Sequence, residues 1–329
     1  MNLEKFEGSS VLITGASGLI GRALVKNLLL YKGKKAIEVY ALVRNEDKAR
    51  AAFFNLPHEH LHYIVCDVCK LLPDNLGINY IVHAASKTAS KQFILEPVEV
   101  IANSICGTKH ILEFARLNPV KGFVYLSTME VYGTPAAEEK ITEDYTSNLD
   151  TMSVRSSYPE SKRLCENLCA AYASEYNVPT KVARLTQTFG EGVEYDDGRV
   201  FAEFARCAIE GKDIVLKTKG ETKRNYIDVN DAVDAILTIL LKGNVGEAYN
   251  VANESTYCSI YDMATMVAKE FGAGKVKIRI EDNGDAEKLG YAKTLKMNLS
   301  ASKLVGLGWR PAHSLKSSYA EMIDYMKNR

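Results

Sequence analysis

A chain of 329 residues exceeds the usual size of one domain and suits one large α/β domain with a smaller lobe. Its 41 lysines and arginines balance 41 aspartates and glutamates, so no net field draws it toward nucleic acid or an anionic membrane, and a small-molecule partner is the expectation. The seven cysteines and six histidines show neither a secreted disulfide framework nor paired zinc-ligand spacing; with no apolar run near the roughly eighteen residues of a membrane span, this predicts a soluble, cytoplasmic protein without a metal.

The N-terminus, with Glu4, Lys5 and Glu7, lacks the order of a secretion signal. Residues 11–14 then predict a first strand, 18–30 its helix, and 37–43, 62–66, 80–83 and 122–127 further strands, alternating with amphipathic segments as βαβ units do. A helix over about 98–117 precedes the fifth strand. Another begins near Tyr158, with Pro159 in a first-turn position where its missing amide does no harm. Residues 180–185 predict a sixth strand. Beyond Arg184 the texture changes to a polar, glycine-rich loop and a helix over 200–210, the start of a second lobe. Asp228 caps an apolar helix, 248–251 is strand-like, and 315–327 closes the chain as a helix.

Gly15, Gly18 and Gly21 follow the first strand and open its helix, so backbone amides and the positive helix end can meet a pyrophosphate with no Cβ in the way. The spacing is GxxGxxG. The block Thr14-Gly-Ala-Ser17-Gly-Leu19-Ile20-Gly21 resembles that of the extended short-chain dehydrogenase/reductase family, in its nucleotide-sugar-modifying epimerase/dehydratase branch. The resemblance continues in order along the chain. Asp67-Val68 matches the adenine-contacting pair, and Ala84, Ala85 and Ser86 the segment lining the cofactor. Asn103 and the Gly107-Thr108 pair fall where the family carries N-x-x-G-T on a long helix, Arg224 to Asp231 resembles the R-D-x-x-x-V-x-D segment, and 307–311 the L-G-W-x-P segment.

The resemblance implies a Rossmann-like, doubly wound parallel sheet with a smaller α/β substrate-binding lobe. The NAD(P)-binding domain is expected over 1–185, with 226–255 returning to it; 186–225 and 256–329 form the lobe. It also implies a nucleotide-sugar substrate and a homodimer. The cofactor is NAD or NADP. Arg44, directly after the second strand and without an acid beside it, favours a 2′-phosphate, while the family favours tightly bound NAD.

Tyr158 and Lys162 stand four apart and share a helix face, so the ammonium is placed to stabilise a phenolate. In the resembled family this pair deprotonates a sugar C4 hydroxyl while hydride passes to the nicotinamide, assisted by a serine or threonine; Ser127 and Thr128 match that assistant. A 4-ketone acidifies the neighbouring C5–H, and Glu130 is the carboxylate to remove it. Ser127-Thr-Met-Glu-Val-Tyr-Gly133 is similar to S-T-D-E-V-Y-G of the 4,6-dehydratases and S-T-S-E-V-Y-G of the uronate decarboxylases, and Arg155-Ser-Ser-Tyr158 to the decarboxylases' R-S-x-Y.

Met129 departs from the dehydratase aspartate, since a thioether donates no proton. Dehydratase, decarboxylase and epimerase outcomes therefore stay open. Thr88, Gln187, Arg199 and Arg224 are substrate-binding candidates, Gln187 replacing the asparagine of the family's R-x-x-N and Arg224 suited to a diphosphate. An NADPH-dependent keto-sugar reductase and a non-catalytic dinucleotide sensor are the alternatives.

Overall fold

The computed structural model describes residues 3–70, 72–73, 76–135, 138–281 and 295–328. The strands in chain order are β1 (Ser10–Thr14), β2 (Glu38–Val43), β3 (Leu61–Val65), β4 (Tyr80–His83), β5 (Gly122–Thr128), β6 (Lys140–Ile141) and β7 (Thr180–Leu185), followed by β8 (Gln187–Phe189), β9 (Ile214–Leu216), β10 (Lys223–Asp228), β11 (Ala248–Val251), β12 (Asn253–Ser259), β13 (Ile278–Ile280) and β14 (Lys296–Leu299). The helices are α1 (Leu19–Leu29), α2 (Glu46–Ala52), α3 (Gln92–Leu95), α4 (Pro97–Leu117), α5 (Ser157–Tyr176), α6 (Val200–Glu210), α7 (Val229–Lys242), α8 (Ile260–Phe271), α9 (Ser302–Gly306) and α10 (Leu315–Lys327). None of them is long and apolar enough to cross a membrane.

Seven parallel strands form the large sheet in the order β11-β7-β5-β4-β1-β2-β3. The chain winds outward one way through β2 and β3 and the other way from β4, so the order reverses between β1 and β4, where open α/β sheets bind ligands. Every residue of β1 and of β5 is buried, as a sheet covered on both faces requires. One face is packed by α1 and α7, through Leu24, Val25 and Leu28 against Val233, Ile236 and Leu240. The opposite face is packed by α4 and α5, through Ile111, Leu112, Cys165 and Cys169. Each such aliphatic side chain contributes about 1.5–3 kcal/mol on burial.

A second sheet runs β12-β10-β14-β6, with β8 beside the end of β10, and the short pair β13-β9 completes the lobe. Its core is aromatic: Phe189 stacks on Phe201 at 4.9 Å and meets Tyr319 edge-on at 5.0 Å. The segment 226–255 is divided between the layers, since α7 and β11 lie on the large sheet while β10 and β12 belong to the lobe's. β6, far earlier in the chain, also pairs in the lobe sheet, with β14.

Two sets of polar contacts fix lobe to sheet. Arg22 on α1 donates to Glu194 and to the Gly192 carbonyl, both at 2.6 Å, and Lys26 pairs with Glu191 at 2.6 Å. At the other end, Asp231 in the first turn of α7 accepts from the amides of Ala312 and His313 and from His313 Nδ1, and Trp309 Nε1 donates to the Asp231 carbonyl. Motifs some eighty residues apart in the chain thus meet as one structural latch.

Candidate active site

A cleft of about 770 Å³ opens along the C-terminal edge of the large sheet, running from Gly15 and Arg44 at one end to Tyr158 and Gln187 at the other. Every site residue expected from the sequence lines it except Arg224. Arg224 lies half-buried in β10 between Cys258 and Met297, and its Nε is buried without a hydrogen-bond partner.

The glycine turn is shaped by close backbone approach. Gly15 sits at φ +65°, and a Cβ there would stand 2.8 Å from the Ala85 amide; at Gly21 it would stand 2.2 Å from the Gly15 carbonyl. Gly18 caps α1 without a side-chain hydrogen bond, and no acid occupies the first turn. The opening amides of α1 are therefore free for an anion, and the residues fit a dinucleotide pyrophosphate.

Behind this turn, the Thr14 hydroxyl accepts from the amides of Ala84 and Ala85 at 3.1 and 3.0 Å and contacts His83 Nδ1 at 2.7 Å, while His83 Nε2 reaches Thr108 at 3.2 Å. Burial, helped by the nearby Lys162 charge, pushes His83 down to about 3, so it serves as a neutral spacer between β1, β4 and α4. At the adenosine end, Asp67 accepts from the Cys69 amide at 2.8 Å, and Val68 fills the space left by Gly107, where a Cβ would come within 2.8 Å of it.

At the reactive end, β5 and α5 bring Ser127, Thr128, Tyr158 and Lys162 to one wall. The two hydroxyls point to different partners. Ser127 Oγ donates to Glu166 at 2.5 Å, a carboxylate that Arg184 grips through Nε and Nη2. The Thr128 hydroxyl instead accepts from the Glu130 amide at 3.3 Å and lies near enough to the Tyr158 phenol to oppose the rise in its pKa. Lys162 Nζ donates to the Leu126 carbonyl at 2.7 Å and lies 5.8 Å from the centre of the Tyr158 ring.

The electrostatics differ from the expectation that Lys162 acidifies the phenol. Burial and the Glu130 charge hold Tyr158 well above its ordinary value, against the smaller opposing effects of Thr128 and Arg155. Lys162 itself is pushed down to about 8 by burial. The phenol lies in a drier and more negative place than helical spacing alone suggests.

Three further groups shape this wall. Phe93, from α3, stacks face to face on Tyr158 at 4.2 Å and 7°, and Arg155 covers the same phenylalanine at 4.8 Å. Arg155 also donates to Glu130 at 2.9 Å. Met129 is buried in an apolar cluster with Ile141, Met297 and Leu299 of the lobe sheet, so the residue that departs from the dehydratase aspartate anchors the lobe. Arg199 lines the cleft with its guanidinium already held by Asp197 at 2.6–3.1 Å. Phe93 had no signature in the sequence. Glu166 could have been found one turn beyond Lys162, on the same face.

The chain is similar to known proteins in sequence and in fold. The chain is 27% identical over 326 residues to UDP-glucuronic acid decarboxylase 1 of Xenopus tropicalis, covering 99% of this chain and 74% of the relative. Its fold matches the crystal structure of UDP-glucose 4-epimerase from Thermotoga maritima with a TM-score of 0.80 at 21% identity, covering 97% of this chain and 99% of that one. It also matches UDP-glucuronic acid 4-epimerase from Bacillus cereus in complex with NAD, with a TM-score of 0.78 at 22% identity over 97% and 99% of the two chains. Residues 11–252 match the NAD-dependent epimerase/dehydratase family, and the chain belongs to that family.

Proposed function

We propose that the protein oxidises the C4 hydroxyl of a nucleotide-linked sugar to a 4-ketone and then acts on the acidified C5 position. The observation that carries this reading is the placement in one cleft of the uncapped glycine turn of α1 and, at the far end, of Thr128, Glu130, Tyr158 and Lys162. When bound, the dinucleotide would supply the hydride acceptor and a positively charged ring. Tyr158 takes the O4 proton, and Thr128 shares its hydrogen bond to that oxygen. Lys162, anchored on Leu126, supplies positive charge within the wall. Ser127 is a positioning residue, its hydroxyl being held by Glu166.

Glu130 is the base at C5, held in position by the Arg155 guanidinium at 2.9 Å. The shared Ser127-Thr-x-Glu130 and Arg155-Ser-x-Tyr158 patterns favour a nucleotide-linked uronic acid, in line with the decarboxylase relatives. Two copies of the chain pair through α4 and α5, which lie side by side and leave Val98, Ile101 and Leu164 exposed. The test is a panel of UDP-, dTDP-, GDP- and CDP-sugars with products identified by mass. Unchanged mass with inverted C4 marks epimerisation, loss of water dehydration, and loss of carbon dioxide decarboxylation. Stoichiometric consumption of added NADPH marks a reductase instead and contradicts the self-contained redox cycle.

A further inference from the structure

At the junction of lobe and sheet, outside the cleft wall, three side chains from separate segments converge. Asp228 ends β10 and caps α7, His313 precedes α10, and Glu321 lies within α10. One potential ligand atom from each lies within 4.8 Å of the other two. His313 stands with Nδ1 2.9 Å from Asp231 and 3.9 Å from Asp228, and with Nε2 3.5 Å from Glu321. The Asp228 side chain is fully buried. Its Oδ1 accepts from the Asn230 amide at 2.8 Å, whereas its Oδ2 has no hydrogen-bond partner among the described residues. Ser318, beside it, donates instead to the Ser314 carbonyl at 3.1 Å. Gly190, at φ +142°, leaves room next to that oxygen, since a Cβ there would stand 2.7 Å from it.

A buried carboxylate oxygen without a partner is costly, and a cation is what satisfies it. Among the described residues none of Asp228, Asp231 and Glu321 pairs with a lysine or arginine, so His313 alone faces three carboxylates. Glu191, whose charge also reaches Glu321, is already held by Lys26 at 2.6 Å. With Nδ1 donating to Asp231, His313 offers the lone pair of Nε2, the arrangement in which a carboxylate orients a metal-binding imidazole. One imidazole and two carboxylates suit a divalent ion of the zinc class. We propose that Asp228, His313 and Glu321 bind a divalent metal ion, with Asp231 orienting the imidazole. The ion ties α7, packed on the large sheet, to the closing helix of the lobe. Ligands about 2.1 Å from one ion stand roughly 3.4 Å apart in a tetrahedron, so the half-exposed Glu321 draws inward on binding. The sequence shows no ligand spacing here because the three residues meet only through the packing of lobe on sheet.

The test uses the full chain, stripped of metal with a chelator and kept reduced, titrated with zinc chloride by calorimetry and with cobalt chloride by visible absorption. The seven free cysteines are the competing ligands, and cobalt reveals them by thiolate-to-metal charge-transfer bands. The expected result is one equivalent of either ion bound without a thiolate band. His313→Gln and Glu321→Gln should each weaken that binding at least about tenfold. At one equivalent, zinc should raise the Tm of the wild-type protein and leave that of Glu321→Gln near its metal-free value. Glu321→Gln alters a half-exposed side chain, and a metal-free Tm like that of the wild type shows that its loss of binding is not a loss of fold. Undiminished binding in either variant, a thiolate band that accounts for the bound ion, or the absence of saturable binding overturns the site. None of these outcomes touches the reaction proposed for the cleft.

Discussion

Ser127 and Thr128 are neighbours with the same chemistry, yet strand alternation turns them to different partners. Ser127 is held by Glu166, whereas Thr128 accepts from the Glu130 amide and shares the cleft wall with Tyr158, so the two positions should respond differently to loss of the hydroxyl. Thr128→Val is expected to lower kcat by roughly 100-fold, the usual loss when an oxyanion partner is removed, with Ser127→Ala much milder. Steady-state kinetics of the two variants check this; equal losses would place Ser127 in the chemistry.

Lys162 makes a second prediction at this scale. Burial brings it from 10.5 down to about 8, so the ammonium is present below that pH and is lost as pH rises through it. A reaction that needs the cation should show a kcat/KM profile falling above about pH 8, and a profile flat across that value would remove Lys162 from the role given to it. The sign for stability is opposite. The folded state holds the proton less firmly than the unfolded chain, so this group's contribution to stability rises with pH between about 8 and 10.5.

Among elements, the β1–α1 turn is the most demanding. Gly21→Ala would set a Cβ 2.2 Å from the Gly15 carbonyl, against backbone that cannot yield without moving the turn. The expected cost is about 1–3 kcal/mol in stability, with loss of dinucleotide binding, readable by denaturant unfolding and calorimetry. Binding at the native level would show that the turn is not the phosphate cradle.

This turn was also the most legible element in the sequence, because glycine spacing after a buried strand has few other meanings. The strands of the large sheet were legible for a related reason: buried on both faces, they appear as short apolar runs between amphipathic segments. What could not be foreseen depends on tertiary approach. Phe93 lies in the four-residue helix α3, whose position against Tyr158 is set by the fold and leaves no periodic trace. Helical spacing put Lys162 beside Tyr158 but said nothing of the burial and the Glu130 charge that hold the phenol up.

For the whole molecule, the lobe must keep its angle to the sheet if the cleft is to keep its shape. The latch at Asp231 joins α7, packed on the large sheet, to the segment leading into α10 of the lobe. Asp231→Ala leaves the amides of Ala312 and His313 without their acceptor and should cost about 1–3 kcal/mol. Its kinetic signature should be a raised KM for the nucleotide sugar, with affinity for the dinucleotide little changed. A variant with unaltered stability and KM would show that the lobe is held elsewhere, for instance by Arg22 and Glu194.

The division of labour across the two layers gives the most direct test of the central claim, that Tyr158 takes the sugar's C4 hydroxyl proton. Tyr158→Phe keeps the ring that stacks on Phe93 at 4.2 Å and removes the proton acceptor alone. With a nucleotide sugar that the wild-type protein converts, the variant should lose on the order of 10²–10⁴ in kcat while binding the dinucleotide as before. Turnover by Tyr158→Phe at the wild-type rate would contradict the account.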